Sequence, residues 1–568
     1  MLQLITVKSR HLNRISMMWA GIGILLLIWR LSPELRAAGV HAPLIHFAFQ
    51  SIDFSLDSCE TPARHAPETM AGGVAVFDYD NDGNPDIFFT NGGDITTLTK
   101  NAPRYRNRLF RNRGNGTFED VTEKAGLAGK GYDIGVAIGD YDNDGYEDIF
   151  VAGVHGNTLY HNNGNGRFTD VTDQAGLKSM DARYGPLWSV GAVWVDVNND
   201  GLLDLFVVNY LAWDVNKEPD CRYNGQPEYC HPKFYSGLPN QLYLNQGGGK
   251  FKDVSAQSGI RAIVGKGMGV GMADFNGDGL PDLFVANDKT FNDLFLATGP
   301  GTFKEASFES GVTLAEYGDP ISGMGVEARD LNNDGYPDIV LTALQDETFP
   351  IFRNGGKGHF TEVTGPSRMS LLSKPMSGYG INVADFDNDG WKDIFVSRGD
   401  VQSLAMSRAK SIEQPNSVFR NSPSGQWSAL TSEAGFGAQK PRRHRGSAIG
   451  DFNHDGKIDV VVTALSAPAE VWINDTANSN HWIGLALQGT RSNRDAIGAK
   501  IRLTANGSTQ FDHVSTASGY GSSSAGPVHF GLGSARVVDE IEIRWPSGAV
   551  QTLKHVPADK VQEIVEPK

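Results

Sequence analysis

The sequence predicts an all-β fold: a seven-bladed β-propeller followed by a small β-sandwich-like domain. Three observations predict it. An acidic nonapeptide recurs seven times from Asp78 onward, a hairpin-like string alternates with its copies, and the last stretch alternates apolar and polar residues between turns. The 67 glycines in 568 residues, about 12% against a usual ~7%, fit a chain with many tight turns.

At the N-terminus, Lys8, Arg10 and Arg14 precede an uncharged apolar run over 15–29, closed by Arg30. That run fits a secretory signal, because a full bilayer span needs about 20 residues. Residues 1–42 are expected to be a signal peptide cut near 39–42, or an uncleaved N-terminal anchor. Either places the rest of the chain outside the cytoplasm, secreted, periplasmic or on the cell surface.

The propeller is expected over 43–475. Each acidic loop is preceded by a small, Gly-rich apolar stretch and followed by a β-rich run such as DIFFT or LDLFVVN. The second string, as in LFRNRGNGTFEDVT from Leu109 and LYHNNGNGRFTDVT from Leu159, reads as two short strands around an Asn/Gly turn. Four strands per unit and seven units make a propeller. A helical solenoid would need 3.6-residue periodicity, which these segments lack. The seventh unit ends at Asn474 without a following outer strand, and the β-like residues 44–49 are expected to supply it and close the ring.

The acidic loops have oxygen-bearing groups at positions one, three, five, seven (through the backbone carbonyl) and nine. The first two loops place Asp78, Asp80, Asp82, Asn84 and Asp86, then Asp140, Asp142, Asp144, Tyr146 and Asp148. The third and fourth place Asp196, Asn198, Asp200, Leu202 and Asp204, then Asp274, Asn276, Asp278, Leu280 and Asp282. The fifth and sixth place Asp330, Asn332, Asp334, Tyr336 and Asp338, then Asp385, Asp387, Asp389, Trp391 and Asp393. The seventh places Asp451, Asn453, Asp455, Lys457 and Asp459.

Six to eight oxygens at this spacing is calcium chemistry, and glycine at position six allows the sharp turn. Imidazole and thiolate, which suit zinc or copper, are missing from the ligand positions of the loops. Position twelve of the first loop is Phe89, so these are not EF-hands, and the position-nine aspartate is expected to take the bidentate role. Asp/Asn/Gly turns occur without metal, but three or four carboxylates in one loop repel one another without a cation. Up to seven Ca2+ are expected, and they would bring the formal charge from −16 to about −2.

These loops resemble FG-GAP/VCBS repeats, like the cation-binding blades of integrin α-subunits. The tail, with Asn480-His-Trp482, Ser492-Asn-Arg-Asp-Ala-Ile-Gly-Ala499, Val528-His-Phe-Gly-Leu-Gly533 and Trp545-Pro-Ser-Gly548, resembles the ASPIC/UnbV domain. The resemblance implies a secreted calcium-binding propeller with a β-rich tail domain over 480–568, and it carries over no catalytic residue.

Other features are weighed one by one. The acid excess, 66 Asp+Glu against 50 Lys+Arg, argues against nucleic acid as a partner. Three cysteines exclude a disulfide-stapled scaffold. Cys221 and Cys230 flank an insertion in the third unit and are expected to be disulfide-bonded, with a metal site including His231 as the alternative. Cys59 is left without a partner. That insertion, with Tyr223, Tyr229 and Tyr235, is expected to form part of a recognition surface, the alternative being that it only covers the propeller rim or docks the C-terminal domain. Arg398-Gly399-Asp400 spells an adhesion tripeptide at a frequency chance supplies. Trp391, Trp188 and Tyr223 offer rings for sugar stacking or for packing. Arg442, His444 and Arg445 form a basic cluster, either a solvated loop or a dock for an acidic ligand, and the serines after Gly519-Tyr-Gly521 read as a turn.

The expected function is an extracytoplasmic calcium-binding module that presents a rigid face to an extracellular or cell-surface protein or glycan. The membrane is touched only through an uncleaved N-terminal segment. The alternatives are a calcium-dependent lyase or hydrolase of carbohydrate working at the central channel, and a structural accessory protein of the cell surface. No catalytic residue is assigned.

Overall fold

The computed structural model describes residues 45–316, 318–401 and 411–568. The signal or anchor expected over 1–42 lies outside the described residues. Among the described residues no helix is long and apolar enough to cross a membrane.

Seven antiparallel sheets follow one another, each built around one acidic loop. The first blade is Val74–Phe77, Asp86–Phe89, Arg108–Asn112 and Phe118–Asp120, paired in that order. The next five repeat the pattern, with inner strands Tyr132–Gly139, Ser189–Val195, Gly267–Ala273, Val326–Arg329 and Gly378–Ala384. The seventh consists of His444–Gly450, Asp459–Ala464 and Pro468–Asn474, and its fourth strand is Phe47–Ser55 from the N-terminus. Phe47 pairs with Asn474 and Gln50 with Val471, antiparallel. The closing strand thus starts later and runs further than residues 44–49, and it carries Phe47 into an aromatic cluster with Phe386, Phe436 and Trp472.

The F-x-D-V-T string acts as a clamp. Asp120 accepts from the Thr122 N–H at 2.9 Å and from its hydroxyl at 2.5 Å, and that hydroxyl accepts from the Leu109 N–H at 2.9 Å. Asp170, Asp253 and Glu305 repeat the arrangement with Thr172, Ser255 and Ser307. Short strands that bury few side chains are fixed here by polar links, each worth about 1 kcal/mol net.

Two further sheets form the C-terminal domain. Val528–Gly533, His481–Gln488 and Lys560–Val565 make one; Ser508–His513, Lys500–Ala505, Val537–Arg544 and Val550–Pro557 make the other. Ile483, Leu485, Ile501, Ile541 and Phe530 lie in its core, in one cluster with residues of blades two to four.

A hairpin of this domain, Ala517–Ser518 and Ser522–Ser524, enters the propeller axis. Ser523 and Ser524 pair in parallel with Ala75 and Val76, and Gly519 bridges to Val326. The hairpin touches the inner strands of all seven blades. The Gly521 carbonyl accepts from the Val136 N–H at 3.0 Å, and Asn382 Nδ2 donates to Ser518 Oγ at 2.6 Å. The approach is so close that a Cβ on Gly73 or Gly135 would collide with the hairpin and with the next blade. A gap of about 10 Å³ beside the hairpin, lined by Gly191, Met268 and Gly269, has room for about one water. The serines read from the sequence as a turn therefore fill the channel that the enzyme alternative requires.

Candidate metal centres

Each loop folds around its first aspartate. Asp78 Oδ1 accepts from the Asp82 N–H at 3.0 Å and Oδ2 from the Gly83 N–H at 2.7 Å. The same pair recurs on Asp140, Asp196, Asp274, Asp330, Asp385 and Asp451. Position six is glycine at φ between 80° and 95° throughout, a region that side-chain-bearing residues rarely adopt. The position-nine aspartate is buried and holds two strands together. Asp86 Oδ2 accepts from the Tyr79 N–H at 3.1 Å and Oδ1 from the Asn112 N–H at 2.7 Å, as Asp148, Asp204, Asp338, Asp393 and Asp459 do in their blades.

These bonds leave the loop centres rich in uncompensated oxygen. Ligand atoms of Asp78, Asp80 and Asp86 lie within 4.8 Å of one another, as do those of Asp140, Asp142 and Asp144 and those of Asp385, Asp387 and Asp393. At position three, Asp80 Oδ1, Asn332 Oδ1 and Asp387 Oδ1 are buried without a hydrogen-bond partner. Burial pushes Asp86 and Asp204 up to about 8, and Asp148, Asp282 and Asp338 to about 7. Asp393 and Asp459 are raised well above the usual carboxylate range, also by burial. Orphaned oxygens and strained carboxylates around one point fit a hard divalent cation.

A counter-charge appears where the loop is most acidic. Loops one, two and six have aspartate at position three, and a basic side chain from the same blade's third strand faces each. Arg111 pairs with Asp80 and Asp82, both at 2.7 Å, and Arg420 pairs with Asp387 and Asp389, both at 2.7 Å. His161 Nδ1 lies 3.3 Å from Asp148 and 3.4 Å from Asp142, and the nearby Asp148 carboxylate raises it to about 9. Loops three, four and seven have asparagine there, and Leu244, Leu296 and Ile473 stand at the matching strand position. The fifth departs, with Asn332 and Arg353. In six loops of seven, the added acid and the added base go together.

Asparagines also stitch the loops into a ring. Asn162 Nδ2 donates to the Tyr79 carbonyl at 2.9 Å, Asn245 to Tyr141 at 2.8 Å and Asn474 to Phe386 at 2.8 Å, each reaching into the preceding blade's loop. Blade four has Ala297 at this position. The sequence signal was present, since LFLA lacks the asparagine that ends the matching tetrapeptide of the other copies, from LFRN to VWIN.

Several other residues lie elsewhere than expected. Two of the three residues of the basic cluster are neither solvated nor open to a ligand: His444 and Arg445 are 1% and 0% exposed on the innermost strand of blade seven, while Arg442 is half-buried beside Glu470. Arg445 lies 3.9 Å over the Tyr379 ring and donates to the Thr69 carbonyl at 2.7 Å. Trp188 is fully buried against Tyr210, so it cannot stack on a sugar, and Arg398 and Asp400 of the tripeptide are buried too. Cys221 and Cys230 are disulfide-bonded with Cα atoms 5.4 Å apart, and Cys59 is free. The insertion folds partly back over the rim: Tyr235 is buried, Tyr223 and Tyr229 are half-buried, and Phe234 is 56% exposed. Glu218 accepts from Tyr235 at 2.7 Å, from Trp213 at 2.8 Å and from the Ala66 N–H at 3.0 Å, while Tyr229 donates to Glu68 at 3.1 Å.

The C-terminal domain sits on the loop face. Arg494 N donates to Asn143 Oδ1 at 2.8 Å, His529 Nε2 lies 2.7 Å from Asn388 Oδ1, and Lys500 pairs with Asp274. Asp512, in this domain, lies 3.0 Å from Arg329 and 3.5 Å from Lys392 of the propeller. Burial alone would raise Asp512, but Lys392 and Arg329 hold it at about 2.

The fold and the loops define a class: repeat propellers that carry one Asp-rich loop per blade. The chain belongs to the FG-GAP-like repeat proteins, whose repeat model matches 78–151, 140–207, 234–285, 274–341 and 330–396, just over half the chain, and it carries an ASPIC and UnbV domain over 489–568. It is 26% identical over 518 residues to human cartilage acidic protein 1, covering 88% of this chain and 72% of that protein. Over 167 residues it is 29% identical to Xenopus laevis integrin alpha-4, covering 26% of this chain and 15% of that protein. A solved Agrocybe aegerita lectin, described as recognising non-reducing terminal N-acetylglucosamine, aligns at 18% identity with a TM-score of 0.39, over 65% of this chain and 81% of that one, a likeness that carries no argument.

Proposed function

We propose that this protein is an extracellular binding module whose propeller is held rigid by calcium in the seven loops. One observation carries the reading: in loops one, two and six the carboxylates turn ligand oxygens to within 4.8 Å of one another, while burial raises the position-nine carboxylate above the normal range, as at Asp86 and Asp204. Asp, Asn and the position-seven carbonyls would hold the ion, and a divalent cation there supplies charge neutralisation and a cross-link between the two strands of the turn. The Cys221–Cys230 disulfide supports an oxidising, extracytoplasmic setting. A protein or a glycan is the partner class. Metal analysis of the purified chain, with calcium titration after chelation, tests the reading; a chain that takes up no calcium sinks it.

A further inference from the structure

We propose that the cavity between loops three to five and the C-terminal domain binds an acidic oligosaccharide. The inference deepens the binding-module reading and rests on it. The cavity holds about 560 Å³, within the range of small-ligand sites and too small for a folded partner. The axial channel, by contrast, is filled by the hairpin.

The cavity opens where the ring of loop-to-loop links breaks. Position four of a loop is a left-handed asparagine whose amide donates to the position-six carbonyl of the next loop: Asn81 to Gly145 at 2.8 Å, Asn143 to Gly201 at 2.9 Å, Asn333 to Gly390 and Asn388 to Gly456 at 3.0 Å. His454 closes the ring onto Asn84 at 3.0 Å. Loop four has Gly277 at this position, and a Cβ there would meet nothing within 4 Å. Asn199 of loop three lines the cavity instead of bonding onward. The missing Ala297 stitch falls on the same blade.

The two walls are chemically distinct. On the domain side, cross-strand pairing sets Lys500 beside Arg544, and Arg502 beside Glu542 and Phe511. That wall has three cations, two acids (Glu542 and Asp512) and one aromatic ring; Arg502 and Arg544 share Glu542, and Lys500 reaches across to Asp274. On the propeller side, Tyr336 is 44% exposed, next to Pro337 and Pro281. Flat apolar faces suit the C–H faces of pyranoses, and ammonium and guanidinium groups suit a sugar carboxylate. Asp196, Asp274 and Asp330, the first ligands of three loops, also line the cavity. Bound calcium would neutralise them, and stripping it would turn them against an anion.

Titration calorimetry of the full chain in saturating calcium would use trigalacturonate, galactotriose and a hexaglutamate peptide as probes. Trigalacturonate is expected to bind saturably, with galactotriose at least about ten-fold weaker. Arg544→Gln, Tyr336→Ala and Gly277→Asn should each weaken trigalacturonate about ten-fold or more. Gly277→Asn restores the residue found at this position in five other loops, and Tyr336→Ala keeps the position-seven carbonyl, so melting within a few degrees of the parent separates lost binding from lost folding. Equal binding of the neutral sugar, preference for hexaglutamate, no saturable trigalacturonate binding or folded variants that bind like the parent would each overturn the proposal. Calcium is titrated separately into chelated protein. Calcium uptake without saccharide binding sinks the cavity alone, whereas no calcium uptake sinks the reading beneath it.

Discussion

Tyr520 donates its phenolic hydrogen to the Met70 carbonyl at 2.6 Å, so a side chain of the C-terminal domain is bonded inside the propeller just before its first inner strand. Its ring also meets Tyr379 edge-on at 5.2 Å, and it is fully buried. The two domains are therefore interlocked, with a hairpin of the second threaded through the axis of the first.

Tyr520→Ala should leave an axial void and an unpaired carbonyl. A loss of about 3–5 kcal/mol is expected from the large-to-small change, read as a fall in denaturation midpoint. Tyr520→Phe removes only the hydroxyl and should lose about 1–2 kcal/mol. Alanine stability equal to the parent would mean the hairpin contributes no holding force.

Calcium removal should lower the melting temperature by many degrees. An ion at 100 times its dissociation constant adds about 2.7 kcal/mol per independent site, and seven sites lie on one ring. Thermal melts with and without chelator, followed by calcium add-back, check this. Unchanged melting would remove calcium from the stability of the fold.

The pairing of Arg420 with Asp387 and Asp389 predicts a compensating double mutant. With chelator present, Arg420→Leu strands two carboxylates near the buried Asp385 and should cost about 1–3 kcal/mol. Asp387→Asn together with Arg420→Leu recreates the Asn-plus-aliphatic pairing of loops three, four and seven, and should recover most of that loss. A double-mutant cycle in urea measures the coupling; strictly additive effects would show that acid and base go together without acting together.

Between the domains, Asp512→Asn should be more damaging than an ordinary surface change. Arg329 and Lys392 are both largely buried and would each lose a charge partner, at an expected ~3–5 kcal/mol. Limited proteolysis between the domains should speed up in parallel. Unchanged cleavage with normal stability would place the pair outside the docking interface.

Local features were legible in the sequence and distant ones were not. The nonapeptides announced their own turns, because φ at Gly83 and bonds at Asp78 arise within the loop. The Phe47 strand could be anticipated because a ring with one strand missing needs an edge covered, although its full extent could not. The axial hairpin left no local signature: Gly519 and Ser523 bond inner strands far away in sequence, and no alternation marks them. Arg445 misled for a related reason. Charge usually marks a surface, but here an inner-strand guanidinium is satisfied by carbonyls and a tyrosine face. Gly277 and Ala297 were visible as departures from the repeat, but only the ring of bonds they interrupt gives them meaning.

Ring closure should depend on the N-terminal strand. Phe47–Ser55 covers the open edge of Pro468–Asn474, and Phe47 packs at 5.3 Å on Phe436 and 5.6 Å on Phe386. Deleting 1–55 would expose a flat row of unpaired backbone groups and an aromatic pocket, both invitations to intermolecular pairing. Removing 1–42 leaves the strand intact and should give a folded monomer. The shorter protein is expected to aggregate or to melt many degrees lower, as scattering and thermal melts would show. If both truncations give monomers of equal stability, closure does not hold the ring, and the axial hairpin, which touches all seven inner strands, must hold it instead.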